Sequence, residues 1–248
     1  MDDAALAAHL AATAGRLLLA LQDDGLIADK ALGAAGDAVA HEYLVRALAA
    51  QRPDDGLLSE EGAEDPARLG KSRVWIVDPL DGTREYSERR TDWAVHVALC
   101  VDGAPAAGAV ALPGLGLTLS SHAPTAPPPP RNGPPRMLVS RTRPAPQAVQ
   151  VAEALGAELV PMGSAGAKAM AVLRGEADIY LHAGGQYEWD SCAPAAVARA
   201  HGLHVSRIDG SPCLYNNPDP YMPDLLVCRP ELAGPALDAV RRLEAVGA

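Results

Sequence analysis

Apolar residues recur at helical spacing near the start of the chain. Leu6, Leu10, Leu17, Leu18 and Leu21 follow Asp3, a residue suited to cap a helix, and predict an amphipathic helix over 3–22. A second helix is expected over 37–51, with Val39, Leu44 and Leu48 inward and Pro53 as its stop. Gly56–Ser59 is a short apolar run that ends in Glu60 and Glu61. Val74–Val77 is another, ended by Asp78-Pro79. Residues 93–121 read as a β-meander, with turns at Asp102-Gly103 and Pro113-Gly114.

The rhythm changes after residues 123–135 (APTAPPPPRNGPP), a stiff Pro-rich connector. Strands are expected at 137–140, 158–161 and 179–181, and helices at 145–156, 164–174 and 190–201. Two late strands and a helix over 231–246 complete the pattern. Such alternation implies an α/β lobe over 136–248, whereas 1–135 reads as an α+β lobe of helices on an antiparallel sheet. The overall class is α/β. A peptide-ligand role for the connector has composition alone behind it.

Composition narrows the function. The 248 residues are 48% hydrophobic, enough for a full core. A formal net charge of −10 excludes a nucleic-acid backbone binder, which needs a basic surface. It leaves room for a phosphorylated small molecule, because bound cations invert a local field. The longest early apolar run, Leu17–Leu21, is far short of the ~20 residues of a membrane span, and Asp2 and Asp3 stand where a leader peptide is basic. The expectation is a cytoplasmic protein without membrane contact. The four cysteines are scattered and form no C-x-x-C pair, so buried, inert thiols are expected.

The chemistry concentrates in Val74-Trp75-Ile76-Val77-Asp78-Pro79-Leu80-Asp81-Gly82-Thr83. An apolar strand delivers two carboxylates three residues apart and then Gly-Thr. Pro79 fixes the backbone between the acids, and Gly82 permits close approach to a ligand. A helix starting near Thr83 turns the Gly82 and Thr83 amides toward an anion. Two acids beside an anion hole call for cations between them, and Mg²⁺ suits oxygen ligands completed by a phosphate. The competing reading is a strand-end turn with local Asp caps. Glu60-Glu61 read by themselves as solvated acids, and Asp190 as a helix N-cap. Together, Glu60, Asp78, Asp81 and Asp190 can converge on two or three cations.

The set SEE, WIVDPLDGT and WDSCAPA resembles the inositol monophosphatase superfamily of metal-dependent phosphatases, with similarity over nearly the whole chain. Arg84-Glu85-Tyr86 after DGT, and Asp37-Ala38-Val39-Ala40-His41, are similar to the CysQ-type 3′(2′),5′-bisphosphate nucleotidase branch. The run from Gly163-Ser164 to Asp190 is most similar to actinobacterial members. One departure is that Lys30–Asp37 carries no hydroxyl where the family has a Ser/Thr-containing loop before a helix-start Asp.

The resemblance implies a layered αβαβα sugar-phosphatase fold and a Mg²⁺-dependent phosphomonoesterase. By the same implication Asp78 bridges two metals, Glu60 and the Leu80 carbonyl complete one site, and Asp81 and Asp190 the other. Thr83 and Glu60 orient the attacking water and accept its proton, with Asp37 supporting them. Gly82, Thr83, Arg84, Ser164, Lys168 and Asp190 are the candidate substrate contacts, and His182, Gln186 and Tyr187 border the site. The leading substrate is 3′-phosphoadenosine 5′-phosphate (PAP). Inositol 1-phosphate and fructose 1,6-bisphosphate compete for the same machinery, and a homodimer is the superfamily habit. A dehalogenase-type phosphatase needs its second acid one residue closer than Asp81 stands. A metabolite-binding module without turnover is the non-enzyme alternative.

Overall fold

The computed structural model describes residues 1–63 and 65–247. The residue that ends the second lobe, Ala248, lies outside them. Helices α1 (Asp3–Asp24) and α2 (Asp29–Gln51) precede a first sheet of β1 (Gly56–Ser59), β2 (Arg73–Asp81), β3 (Ala94–Val101), β4 (Ala104–Leu112) and β5 (Leu117–Ser120), paired in that order. A five-residue helix α3 (Thr83–Ser87) follows β2. The second half contributes β6 (Arg136–Ser140), α4 (Pro146–Leu155), β7 (Glu158–Met162), α5 (Ala165–Leu173), β8 (Ile179–Tyr187), α6 (Glu188–Ala200), β9 (His204–Ser206), β10 (Tyr221–Cys228) and α7 (Pro230–Gly247). Its sheet has the order β7-β6-β8-β10-β9.

Three apolar clusters separate five layers. Alternation along β2 sends Trp75 and Val77 toward α1 and α2, and Val74 and Ile76 toward α5 and α6. The second sheet alternates likewise. Tyr180, Leu225 and Val227 share the α5–α6 core, whereas Ile179, Leu181, Leu226 and Cys228 pack with α4 and α7. The arrangement is a layered αβαβα fold. Burial on both faces accounts for the unbroken apolar runs of β2 and β3. The Phe-free composition finds a use here. Ala faces let helices lie close on the sheet, and a Cβ at Gly108 of β4 would meet Ala196 of α6 at 2.8 Å.

Several elements depart from expectation. The first sheet is mixed, because β1 runs parallel to β2. Helix α2 begins at Asp29, since nothing between Lys30 and Gly36 breaks a helix. Asp37 therefore sits in its third turn and does not start it. Leu44 and Leu48 are buried as expected, but Val39 is 41% exposed, because the i, i+4 stripe through them runs back over Ala40, Gly36 and Leu32. Strand β8 extends to Tyr187, past the two left-handed glycines Gly184 and Gly185. Helix α1 is long and apolar enough, at a mean hydropathy of 1.6, to pass a membrane-span test that the short leucine run did not suggest. Its Leu6, Leu10, Ala14 and Leu18 are buried in the same cluster as Val95, Val97 and Ala109 of the sheet.

Polar ties hold the connector and the two sheets in place. Buried Arg229 pairs with Asp178 at 3.1 Å and donates to the Pro128 carbonyl at 2.8 Å. Glu85, after β2, pairs with Arg141, after β6, at 2.8 Å. Removing one member of a buried pair strands the other charge. Arg229→Met is therefore expected to lower unfolding free energy by about 3–5 kcal/mol in urea titrations. A loss under about 1 kcal/mol would show that Asp178 is not dependent on Arg229.

Candidate active site

Strand β2 carries its acids to the edge of the buried core. Its register against β3 shifts between Asp78 and Asp81, at Pro79, which has no N–H to give the ladder. The Leu80 amide instead donates to Asp78 Oδ1 at 3.0 Å. The shift lets two acids three residues apart share one side. Asp190, in the first turn of α6, completes a trio whose ligand oxygens lie within 4.8 Å of one another. Asp190 is not the N-cap; it reaches back from the third helical residue to accept the Tyr187 amide at 2.6 Å. Glu60 follows β1, with its amide on the Val77 carbonyl at 3.3 Å and its carboxyl hydrogen-bonded to Asp78.

Electrostatics divides these acids. Burial, then the charges of Glu60, Asp81 and Asp190, push Asp78 well above the usual carboxylate range. Glu60 is an exposed residue, yet desolvation of its carboxyl and the neighbouring acids raise it to about 7, against the Asp78 hydrogen bond. Burial and Asp81 raise Asp190 to about 6. Asp81 goes the other way. Burial opposes its charge, but His96, the Ser164 hydroxyl and the Gly166 amide hold it well below its ordinary value. Glu60 and Asp78 are both pushed toward their neutral forms in the absence of a cation. Oxygen donors short of positive charge fit a hard divalent ion.

The start of α5 is built around Asp81. Ser164 donates to Asp81 Oδ2 at 2.5 Å, and the Ala165 and Gly166 amides donate at 3.1 and 2.7 Å. His96, in the middle of β3, was not singled out from the sequence. It is fully buried, with Nδ1 2.9 Å from the Trp189 carbonyl and Nε2 3.1 Å from Asp81 Oδ2. The second contact is a charge pairing without hydrogen-bond alignment. With an acceptor on each side the ring favours its protonated form, and Asp81 outweighs burial in raising its pKa. The available signal was one ionisable residue inside the apolar run Ala94–Val101. A Cβ at Gly166 would lie 2.0 Å from His96 Nε2, so only glycine lets α5 meet this ring.

On the α2 side, Thr83 Oγ1 donates to the Leu80 carbonyl at 3.1 Å and meets Asp37 Oδ1 at 3.4 Å. Burial and then Glu61 raise Asp37 to about 6. The hydroxyl-free Gly33–Gly36 stretch is the reason α2 reaches so close. Cβ atoms there would meet Ser87 Oγ at 2.7 Å and Tyr86 Cε1 at 2.9 Å. Gly82 adopts φ 91°, a left-handed bend that turns β2 directly into α3.

Gly82, Thr83, Arg84, Arg143, Ser164 and Lys168 line a cleft of about 250 Å³. Arg84 is exposed and has no ion pair among the described residues. Lys168 is not a solvated helix residue. It is 6% exposed, donates to the Ser164 carbonyl at 2.6 Å and lies 5.2 Å from the Tyr180 ring centroid. Ser164 is likewise engaged with Asp81, so neither side chain is free for a substrate without exchanging partners. Glu85 also lines this cleft and is paired there with Arg141 at 2.8 Å. His182 holds the Gly185 carbonyl at 2.8 Å. All four cysteines are buried and free.

Carboxylates from β2 and α6, gathered beside a cleft lined by Arg84 and Arg143 in a five-layered αβαβα protein, form a cluster able to hold a divalent cation. The chain belongs to the inositol monophosphatase family, which it matches over residues 4–242. It is 48% identical to the 3′-phosphoadenosine 5′-phosphate phosphatase of Mycobacterium leprae, over 98% of this chain and 95% of that protein. The protein of the same name from Mycobacterium tuberculosis is 51% identical, over 92% of this chain and 89% of its own length. Among solved structures, CysQ from Bacteroides thetaiotaomicron superposes with a TM-score of 0.78 at 27% identity, covering 92% of this chain and 97% of that one.

The raised carboxyls fix a pH dependence for the metal-free protein. Their unfolded-state pKa values are lower, so between about 4.5 and 7 the folded state holds more protons and stability falls as pH rises. Thermal melts without divalent ions are expected to drop between pH 5 and pH 8, and Mg²⁺ is expected to restore the midpoint at pH 8 more than at pH 5. A Mg²⁺ effect equal at both values would contradict competition between protons and the cation.

Proposed function

We propose that the chain hydrolyses the 3′-phosphate of PAP, giving AMP and inorganic phosphate. The observation that carries this is the convergence of Asp78, Asp81 and Asp190 beside the Thr83–Asp37 pair. The two relatives that share about half the sequence are named for this activity. Glu60, Asp78, the Leu80 carbonyl, Asp81 and Asp190 would hold Mg²⁺, two or three ions by family habit. When bound, the metal supplies Lewis-acid neutralisation of the phosphoryl oxygens and lowers the pKa of the attacking water.

The protein's own groups do the rest. Gly82 and Thr83 amides receive the phosphoryl oxygens at the bend between β2 and α3. Thr83 Oγ1 holds the nucleophilic water, and Asp37, raised to about 6, is poised to accept a proton through it. Glu60, beside the same water position, is the second acceptor. Water oxygen forms the new P–O bond as the P–O3′ bond breaks, and the ribose oxygen leaves as a hydroxyl after taking up a proton. One water is consumed and no phosphoenzyme forms. Arg84 and Arg143 supply the positive charge that a second phosphate needs.

Phosphate release from PAP, inositol 1-phosphate and fructose 1,6-bisphosphate, with and without Mg²⁺ and with Li⁺ added, tests the reading. Mg²⁺-dependent, Li⁺-inhibited turnover with the highest kcat/KM on PAP is expected. A sugar-phosphate preference would overturn the substrate, and absence of turnover on all three would favour a binding module. Asp78→Asn should lower kcat by at least about 100-fold while the far-UV spectrum is kept. Asp37→Asn should cost about 10–100-fold. Near-full Mg²⁺-dependent activity in Asp78→Asn would remove its metal role.

A further inference from the structure

Nine aromatic side chains serve the chain, three Trp and six Tyr, and three of the nine meet where β8 passes into α6. Tyr187 stacks on Trp189 with centroids 4.8 Å apart and planes 11° apart. Tyr221, its cross-strand partner, stands edge-on at 6.2 Å and 84°. Core packing does not explain the group, because Tyr187 and Tyr221 are 46% and 48% exposed. Nor is it loose. The Tyr187 amide donates to Asp190 at 2.6 Å, which places the residue beside the acidic cluster, and stacking on Trp189 orients its ring. Gly185 leaves the space for Tyr221, whose hydroxyl a Cβ there would meet at 2.5 Å.

A second observation comes from the preceding residue. Gln186 is 7% exposed, and both atoms of its carboxamide lack hydrogen-bond partners. Buried amides are rarely left so, since each unmade bond costs desolvation. Its cross-strand partner Met222 lies in the core cluster with Tyr180 and receives the Ser191 hydroxyl of α6 at 3.7 Å. Paired residues share a sheet face, so Gln186 lies on the α5–α6 side. Strand alternation alone would send Tyr187 away from that side. The strand ends at Tyr187, however, and the ring turns back over Trp189 of α6.

We infer that the Tyr187 ring, backed by Trp189 and edged by Tyr221, is the platform on which the nucleobase of the substrate stacks, with Gln186 meeting the polar edge of the base. The inference deepens the nucleotide reading above and rests on it. A stacked ring with an open face recognises a flat heteroaromatic group and gains little from a polyol such as inositol. A carboxamide offers one donor and one acceptor side by side, the complement of the adenine N6–H and N7 edge. Rotation about the flexible torsions of Gln186 brings the amide to the base.

The test compares wild type with Tyr187→Ala, Tyr187→Phe and Gln186→Leu on PAP and inositol 1-phosphate. Tyr187→Ala is expected to lower the PAP to inositol 1-phosphate ratio of kcat/KM by about 5- to 100-fold, chiefly through KM for PAP. Tyr187→Phe keeps the ratio, because the ring face is kept, and Gln186→Leu lowers it. AMP is expected to quench tryptophan fluorescence through Trp189, since Trp75 and Trp93 are sealed in the core at 1% and 0% exposure. Tyr187→Ala should weaken that titration in parallel. A wild type that prefers PAP but whose ratio is unmoved in Tyr187→Ala overturns the platform alone. So does a variant whose sedimentation mass changes while AMP binding does not, which would make the aromatic group a self-association surface. A wild type inactive on PAP overturns the nucleotide reading, and the platform with it.

Discussion

Negative charge held out of water is the constraint around which the rest of the site is arranged. Asp78 and Asp81 are 1% and 7% exposed, close to Asp190 and Glu60, and four such groups cannot all ionise in an apolar setting. The protein answers each in a different way. Asp81 is satisfied by the start of α5 and by His96, and stays charged. Asp78, Glu60 and Asp190 are all raised toward their neutral forms. The unresolved excess suits a divalent ion with oxygen ligands. An apolar layer on both sides of β2 keeps water from screening it.

The same constraint orders the packing. Gly166 has no side chain because His96 occupies that space, and His96 is there because Asp81 needs a cationic neighbour. Gly33 and Gly36 let α2 settle onto α3, which brings Asp37 to Thr83. Glu85, just after the bend at Gly82, pairs across to Arg141. Each half of the chain thus supplies part of the centre and part of the contacts that hold the other half against it. Asp190 joins the metal set to the aromatic group at β8–α6 through one hydrogen bond to Tyr187.

Much of this was legible in the chain. The strand ending in Asp78-Pro79-Leu80-Asp81-Gly82-Thr83, the acids after β1 and the WDS start of α6 are local patterns, and local patterns survive translation into structure. The order of strands and helices was legible too, because period-2 and period-3.6 apolar spacing is set by the backbone itself, whereas the five-layered arrangement came from the family resemblance. The resemblance to the inositol monophosphatase family rested on the same segments.

Tertiary structure decided what no local pattern encodes. Val39 faces solvent because the sheet receives the i, i+4 line of Leu32, Gly36, Ala40, Leu44 and Leu48, which Val39 does not share. Lys168, a residue type that usually seeks water, is buried over Tyr180 because carbonyls at the start of its own helix receive its ammonium. His96 looked like one polar residue in an apolar strand until β3 set it between Asp81 and Trp189. Spacing along the chain fixes which face a residue occupies, whereas its charge state and partners depend on groups that arrive from distant segments.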